Sequence, residues 1–197
     1  GPTNALSALD PALAEAGLRR RALSSIVIAA TGSYDSDGDR LRYARDLKGW
    51  SDEGLVRTLQ RATGVPVFIE NDVNLAAVAE RRVGAAQDIS DFFLFWAGDG
   101  IGGALLLDDT LRRGATGGAG EVAFLQPPGA GTVHRPHRSG SGALELWAGG
   151  TALADLAREC GLQGRGAVAL VKAAVAAGPD GLAFLDELAL RYAHGIC

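Results

Sequence analysis

Apolar positions in the first half of the chain fall into two kinds of run. "SSIVIAATG" (24–32) is short, β-branched and closed by glycine. Its lack of alternation predicts a strand of a parallel sheet, covered on both faces. "VPVFIE" (65–70) predicts a second strand of the same kind. Around them the spacing is helical. Residues 3–18 are rich in Ala and Leu and suit a helix ending near Gly17. "SDEGLVRTLQRATG" (51–64) has a capping serine, acids in its first turn, apolar residues at helical spacing and a glycine stop. "NDVNLAAVAERRVG" (71–84) has a polar start and a glycine stop at Gly84. The polar stretch "SYDSDGD" (33–39) predicts a loop. Its "DSDGD" resembles a calcium loop only superficially, because position 44 is Ala and not the glutamate that such a loop needs. Farther on, "DFFLFWAG" (91–98) and "GGALLLD" (102–108) predict two strands, and "DDT" (108–110) a tight turn. From Ala143 the pattern is helical, with breaks at "GLQGRG" and "AGPDG". Strand–helix–strand–helix, a hairpin and a helical tail make an α/β protein with a lobe change between Gly84 and Asp91.

Composition narrows the function classes. The chain has 197 residues, room for one large domain or two small lobes. At 47% hydrophobic and 21% charged it can bury a core. A net charge of −4 disfavours nonspecific nucleic-acid binding by this segment. The run Arg19-Arg20-Arg21 reads as a solvated helix end. Two cysteines, Cys160 and Cys197, imply no disulfide framework and favour a reducing, cytoplasmic setting. No stretch approaches the roughly 20 apolar residues of a membrane span, and no secretory signal is present. The opening Gly1-Pro2 and a last helix stopping at Cys197 read as cut ends of a longer protein.

Candidate chemistry sits at four places. Glu70-Asn71-Asp72 ends a strand and begins a helix, where open α/β sheets bind ligands. A carboxylate and an amide there can bracket a polyol, with Asp72 accepting a hydroxyl proton; Asn71 or Asp72 can equally be a plain N-cap. The loop Gly98-Asp99-Gly100-Ile101-Gly102-Gly103 has the glycines that let backbone N–H groups approach an anion, and suits a hairpin turn as well. "RGATGGAGE" (113–121) is either a mobile loop carrying Glu121 to a site or an ordinary surface loop. Glu145 stands near a helix start, where an acid also serves the macrodipole. His134 and His137 flank Pro136 with no cysteine nearby, and read as a polar loop rather than a metal site.

In series, these stretches resemble the ROK family of repressors and sugar kinases. "GLVRTLQRATGVPVFIENDVNLAAVAE" is similar to the family's strand–acid–helix segment, and "GDGIGGALLLDDTLRRGATGGAGE" to its phosphate loop, hairpin and sugar loop. The resemblance runs from about Ser24 to Gly150 and continues weakly into the helical tail. It implies an actin-like (ribonuclease H-like) two-lobed fold, incomplete at both ends. Residues 1–88 would be the remainder of the N-terminal lobe and 89–197 a truncated C-terminal lobe. It also implies a sugar in the interlobe cleft, held by Asn71, Asp72, Glu121 and Glu145, with Gly32 on the cleft floor and Asp72 the catalytic base of a kinase. Gly32 lies in "AATG" where the family usually has Pro-Gly, and Asp46 replaces an asparagine.

Departures from the family pattern decide the expected function. After Glu121 the family has Gly-His, and that histidine touches the sugar and binds a structural zinc; here Ala123-Phe124 stand there. The remaining zinc ligands, three cysteines, correspond to Pro136, Arg138 and Ala143, so no structural zinc is expected. Asp99 replaces a threonine of the phosphate loop. A carboxylate ~4 Å from one phosphate charge costs about 4 kcal/mol at an effective dielectric near 20. The Asp-x-Gly-x-Thr hairpin of the family's kinases does not occur before Ser24. The expectation is therefore a ligand-sensing domain of a ROK-type transcriptional regulator that binds a sugar or sugar derivative. It would need no cofactor, meet DNA through a winged helix-turn-helix absent from this chain, and assemble as a homo-oligomer. The alternative is a glucokinase-like sugar kinase using ATP and Mg²⁺.

Overall fold

A computed structural model describes residues 2–44, 47–128, 130–131 and 141–196. It divides into two compact units, Gly1–Ser90 with Leu106–Ala119, and Asp91–Leu105 with Gly120–Cys197. The first unit thus takes back a hairpin from the middle of the chain, a return that the sequence pattern did not show.

In unit 1, α1 (Pro2–Ala5) and α2 (Leu9–Glu15) are separated by a 3-10 turn at Leu6–Ala8. The sequence predicted one continuous helix. Pro11 is the reason for the break: it has no N–H, and its ring clashes with the carbonyl four residues back, so it is tolerated only in a first turn. The end at Gly17, with φ +67°, is as expected. Arg20 bonds Asp10 through both Nε and Nη2, at 2.6 and 2.8 Å, so the arginine run is tied to the first turn of α2.

β1 (Ile26–Ala30) runs parallel to β4 (Val67–Asn71), pairing Ile26 with Val67 and Ala30 with Asn71. The predicted burial on both faces does not hold. Val67, Ile69 and Ala30 are buried with Leu41, Trp50 and Leu59, but Val27 and Phe68 are 58% and 57% exposed. The pleat sends alternate side chains to opposite faces, and the core of this unit covers one of them.

The predicted polar loop at 33–39 contains a strand. β2 (Ser33–Asp35) and β3 (Arg40–Arg42) form an antiparallel hairpin, with Ser33 opposite Arg42. The sequence hid it because its acid is buried by pairing: Asp35 is 5% exposed and accepts Arg42 Nη2 at 2.6 Å. α3 (Leu55–Thr63) has Gly54, not Ser51, at its N-cap position. Its cap is the distant Asp39, whose Oδ1 accepts from Val56 N at 2.8 Å and from the Tyr34 hydroxyl at 2.9 Å. A side-chain cap of this kind contributes about 1 kcal/mol. Burial, with Asp39 alongside, pushes the Tyr34 hydroxyl up to about 12, so it stays a donor. α4 (Asp72–Val83) follows β4 directly.

β5 (Phe92–Ala97), β6 (Ile101–Leu107) and β7 (Thr110–Arg112) form a sheet in that order. Asp108 and Asp109 have φ of +52° and +58°, the left-handed pair that a two-residue hairpin turn requires. In unit 2, a 3-10 turn at Val122–Phe124 precedes α5 (Ala143–Ala148), α6 (Gly150–Glu159), α7 (Ala167–Ala176) and α8 (Leu182–Ile196). Leu153, Leu170, Phe184 and Leu188 form its main core. Both predicted breaks fall between helices: Gly161 (φ +70°) ends α6, and Pro179 sits in the 3-10 turn before α8.

Candidate functional site

The strand ends in unit 1 carry the first part of the site. The parallel register brings Ala29 beside Glu70 and Ala30 beside Asn71, so Gly32 and Asp72 both lie just past a strand's carboxyl end. Asn71 is the N-cap of α4, its Oδ1 accepting from Asn74 N at 3.0 Å. Its Nδ2 donates to Gly32 O at 3.1 Å. Capping and ligand contact are compatible here, because one Nδ2 hydrogen is left over. Asp72 is exposed, accepts only from Val73 N at 3.0 Å, and pairs with no cation among the described residues. Such a carboxylate is free to take a proton from a hydroxyl placed beside it.

Glu70 ties this region together. Its Oε1 accepts from Asn71 N at 3.0 Å and Asn74 Nδ2 at 2.8 Å, and its Oε2 from Arg113 Nε at 2.7 Å. The 113–119 stretch is consequently held, not loose: Ala119 N donates to Arg113 O at 3.0 Å, and Gly117 (φ +81°) lies so close to Tyr34 that a Cβ would strike its carbonyl. Asn74 and Arg113 were missed from the sequence. Asn74 stands four residues after Glu70, in the first turn of α4, and this nearness across the strand-to-helix junction was the available signal.

In unit 2, Gly98, Asp99 and Gly100 connect β5 to β6, while Gly102 and Gly103 lie within β6. Gly103 is required by packing, since a Cβ there would run into the Phe93 ring and Gly120 O. Asp99 does not point into an empty loop. Its Oδ1 accepts from Ala167 N at 3.0 Å, capping α7, and its carbonyl accepts from Gly150 N at 3.0 Å at the start of α6. Glu145, on α5, turns to the same loop, Oε2 accepting from Ile101 N at 2.7 Å. Glu121 opens the 3-10 turn that holds Ala123 and the half-buried Phe124. Ala123 backs onto Gly142, where a Cβ would collide with its carbonyl. Ala143 is buried at the start of α5. His134, His137, Pro136, Arg138 and Asp46 lie outside the described residues.

Burial raises the Glu145 carboxyl above its ordinary range, and the Ile101 N–H offsets only part of that. A raised folded value means that the folded state holds the proton longer than the unfolded one. Stability is therefore lost as pH rises from about 4.5, the ordinary value, through the raised one. Glu145→Gln keeps an acceptor for Ile101 N and removes the titration, so its Tm should change less across that window than the wild type's. Parallel melting curves against pH check this; equal slopes would place the effect elsewhere.

The ROK family's sequence model matches residues 2–197. The chain belongs to the ROK family. A glucokinase of Halalkalibacterium halodurans is 31% identical to it over 158 residues, 80% of this chain and 47% of the glucokinase. A putative xylose repressor of Caldicellulosiruptor sp. is 31% identical over 117 residues, 59% of this chain and 29% of the repressor. The ROK family glucokinase of Streptomyces griseus, solved in complex with glucose and AMPPNP, superposes with a TM-score of 0.73 at 26% identity, covering 97% of this chain and 65% of that one. The fold is thus the α/β, actin-like fold of the family's sugar kinases, of which this ROK chain holds a part. It spans under half the length of these two sequence relatives. Its relatives include both repressors and kinases. Among the described residues, no helix of this ROK chain is long and apolar enough to cross a membrane.

Proposed function

We propose that this chain is the ligand-sensing part of a ROK-family transcriptional regulator, binding a sugar or sugar derivative without transferring phosphate to it. The observation that carries the proposal is the carboxylate of Asp99, bonded to Ala167 N in the turn where the family receives phosphate. The α7 N-terminus offsets its charge by about 0.3–1 kcal/mol. That is small against the about 4 kcal/mol of repulsion met by a phosphate charge ~4 Å away. Glu145 adds a second protein carboxylate at the loop, on Ile101 N. The N–H groups of Ala167 and Ile101 are both already bonded to these protein carboxylates.

The sugar is held through Asn71 and Asp72 at the end of β4. Phe124, unable to donate the hydrogen bond of an imidazole, favours a less polar ligand face. Binding shifts the population of two states that differ in DNA affinity, with DNA met by a winged helix-turn-helix outside this chain. The regulator acts as a cytoplasmic homo-oligomer, needs no cofactor and holds no structural zinc; Phe124 and Ala143 stand at two of the zinc-ligand places.

A second reading is a sugar kinase with Asp72 as base and ATP–Mg²⁺ as donor. It is favoured by the exposed Asp72 carboxylate, which pairs with no cation among the described residues, and by the glucokinase relative. Mg²⁺ at the loop would reverse the sign of the Asp99 interaction. Calorimetry on the full-length protein with glucose and xylose, each with and without ATP–Mg²⁺, separates the two. The sensor shows saturable sugar binding and no nucleotide binding. Formation of ADP with a phosphorylated sugar would sink it.

A further inference from the structure

We infer that Glu70 and Arg113 are a positioning pair, setting the geometry in which Asn71 and Asp72 meet the sugar and fixing the 113–119 loop to it. The inference rests on the proposal that a sugar meets those two residues. Neither member of the pair is placed against the ligand itself; both act through their neighbours.

The Glu70 side chain is 16% exposed, whereas that of Arg113 is 58% exposed. A carboxylate so far from water needs partners for both oxygens. Oε1 has Asn71 N and Asn74 Nδ2, and Oε2 has the Arg113 guanidinium. Asn74 is 3% exposed, and its Oδ1 has no hydrogen-bond partner among the described residues, so the bond to Glu70 is what orients the amide. Asn74 N in turn bonds Asn71 Oδ1, and Asn71 Nδ2 reaches Gly32 O. A chain of contacts therefore runs from Arg113 through Glu70, Asn74 and Asn71 to Gly32, and Asp72 lies on the backbone inside it. At its far end the Arg113 carbonyl closes the loop by accepting from Ala119 N. Without the guanidinium, Glu70 Oε2 is left charged and half-buried. The side chain then turns toward water and releases Asn74 and the amide of Asn71 together. The loop loses its anchor in the same event.

The test uses the full-length protein with Glu70→Gln, Arg113→Gln, the double variant and Arg113→Lys, and D-glucose as the probe. Glucose affinity is measured by calorimetry, and amide hydrogen exchange is followed at Asn74, at Ala119 and in the core of α3. Each single Gln variant should weaken glucose about tenfold, which corresponds to about 1.4 kcal/mol. Exchange should quicken at Asn74 and Ala119 together while α3 is unchanged, which general destabilisation would not produce. The double variant should bind no worse than the weaker single, because both remove one interaction. Arg113→Lys should recover part of the loss. Unchanged affinity and exchange in the singles, or losses that add in the double, would overturn the pair. If the wild type binds no glucose, exchange alone decides it: linked quickening at Asn74 and Ala119 upholds the pair while the sugar reading falls, and unlinked exchange ends both.

Discussion

Asp99→Asn should raise the affinity of the full-length protein for ATP–Mg²⁺ about a hundredfold if the loop's charge is what excludes phosphate. The magnitude follows from about 4 kcal/mol of repulsion less up to about 1 kcal/mol already offset at the α7 N-terminus, at about 1.4 kcal/mol per factor of ten. Asparagine is the informative substitution because it keeps an acceptor for Ala167 N and removes only the charge. Asp99→Ala removes both. It should cost about 1 kcal/mol of stability for the lost cap, whatever it does to nucleotide binding. Titration calorimetry gives the first quantity and denaturant melts the second. An asparagine variant as blind to ATP as the wild type would show that charge is not the barrier, and that Asp99 serves to fasten the turn to α6 and α7.

Gly32→Ala should be the most damaging single substitution near Asn71. Gly32 has φ +94°, where an L side chain costs about 1–2 kcal/mol. Its new Cβ would also strike the Arg42 carbonyl and crowd Ala44 N at 3.3 Å. Overpacking of that kind adds about 1–3 kcal/mol. A total near 3 kcal/mol lowers Tm by roughly 6–12 °C in a chain of this size. Gly64→Ala is the control, because its φ is +76° but nothing lies within 4 Å of its Cβ. The difference between the two melts isolates the close contact. Sugar affinity should fall in Gly32→Ala alone, since the Gly32 carbonyl anchors the Asn71 amide. Equal effects at the two glycines would remove Gly32 from any special place in the site.

Much of this architecture was legible in the residues, and what was hidden has a common cause. Strand ends, glycine stops and the Asp108-Asp109 turn are written in local spacing, so β1, β4, α4 and the helical tail could be read directly. The chemistry at Glu70-Asn71-Asp72 was visible for the same reason: a strand, an acid and a helix start are neighbours in sequence. Partner choice over long separations was not visible. Asp39 caps α3 from 17 residues away, Arg113 finds Glu70 across 43, and Asp99 reaches Ala167 across 68. Each polar residue, met alone, looks like solvated loop; only the fold shows that it is spent. The β2–β3 hairpin was missed on the same account, because Asp35 and its arginines read as a polar turn until they neutralise one another. Exposed Val27 and Phe68 reverse the error: an unbroken apolar run does not guarantee two covered faces.

The return of Leu106–Ala119 to the first unit has a bearing on how the protein is made. A ribosome that has released Ser90 has not yet supplied Arg113, so Glu70 emerges without its counter-ion and stays so until the intervening strands have been translated. No single protease cut can part the two units and leave both whole. Expression trials that stop at residue 90 should give a soft, protease-sensitive product, and those that reach Ala119 a firmer one.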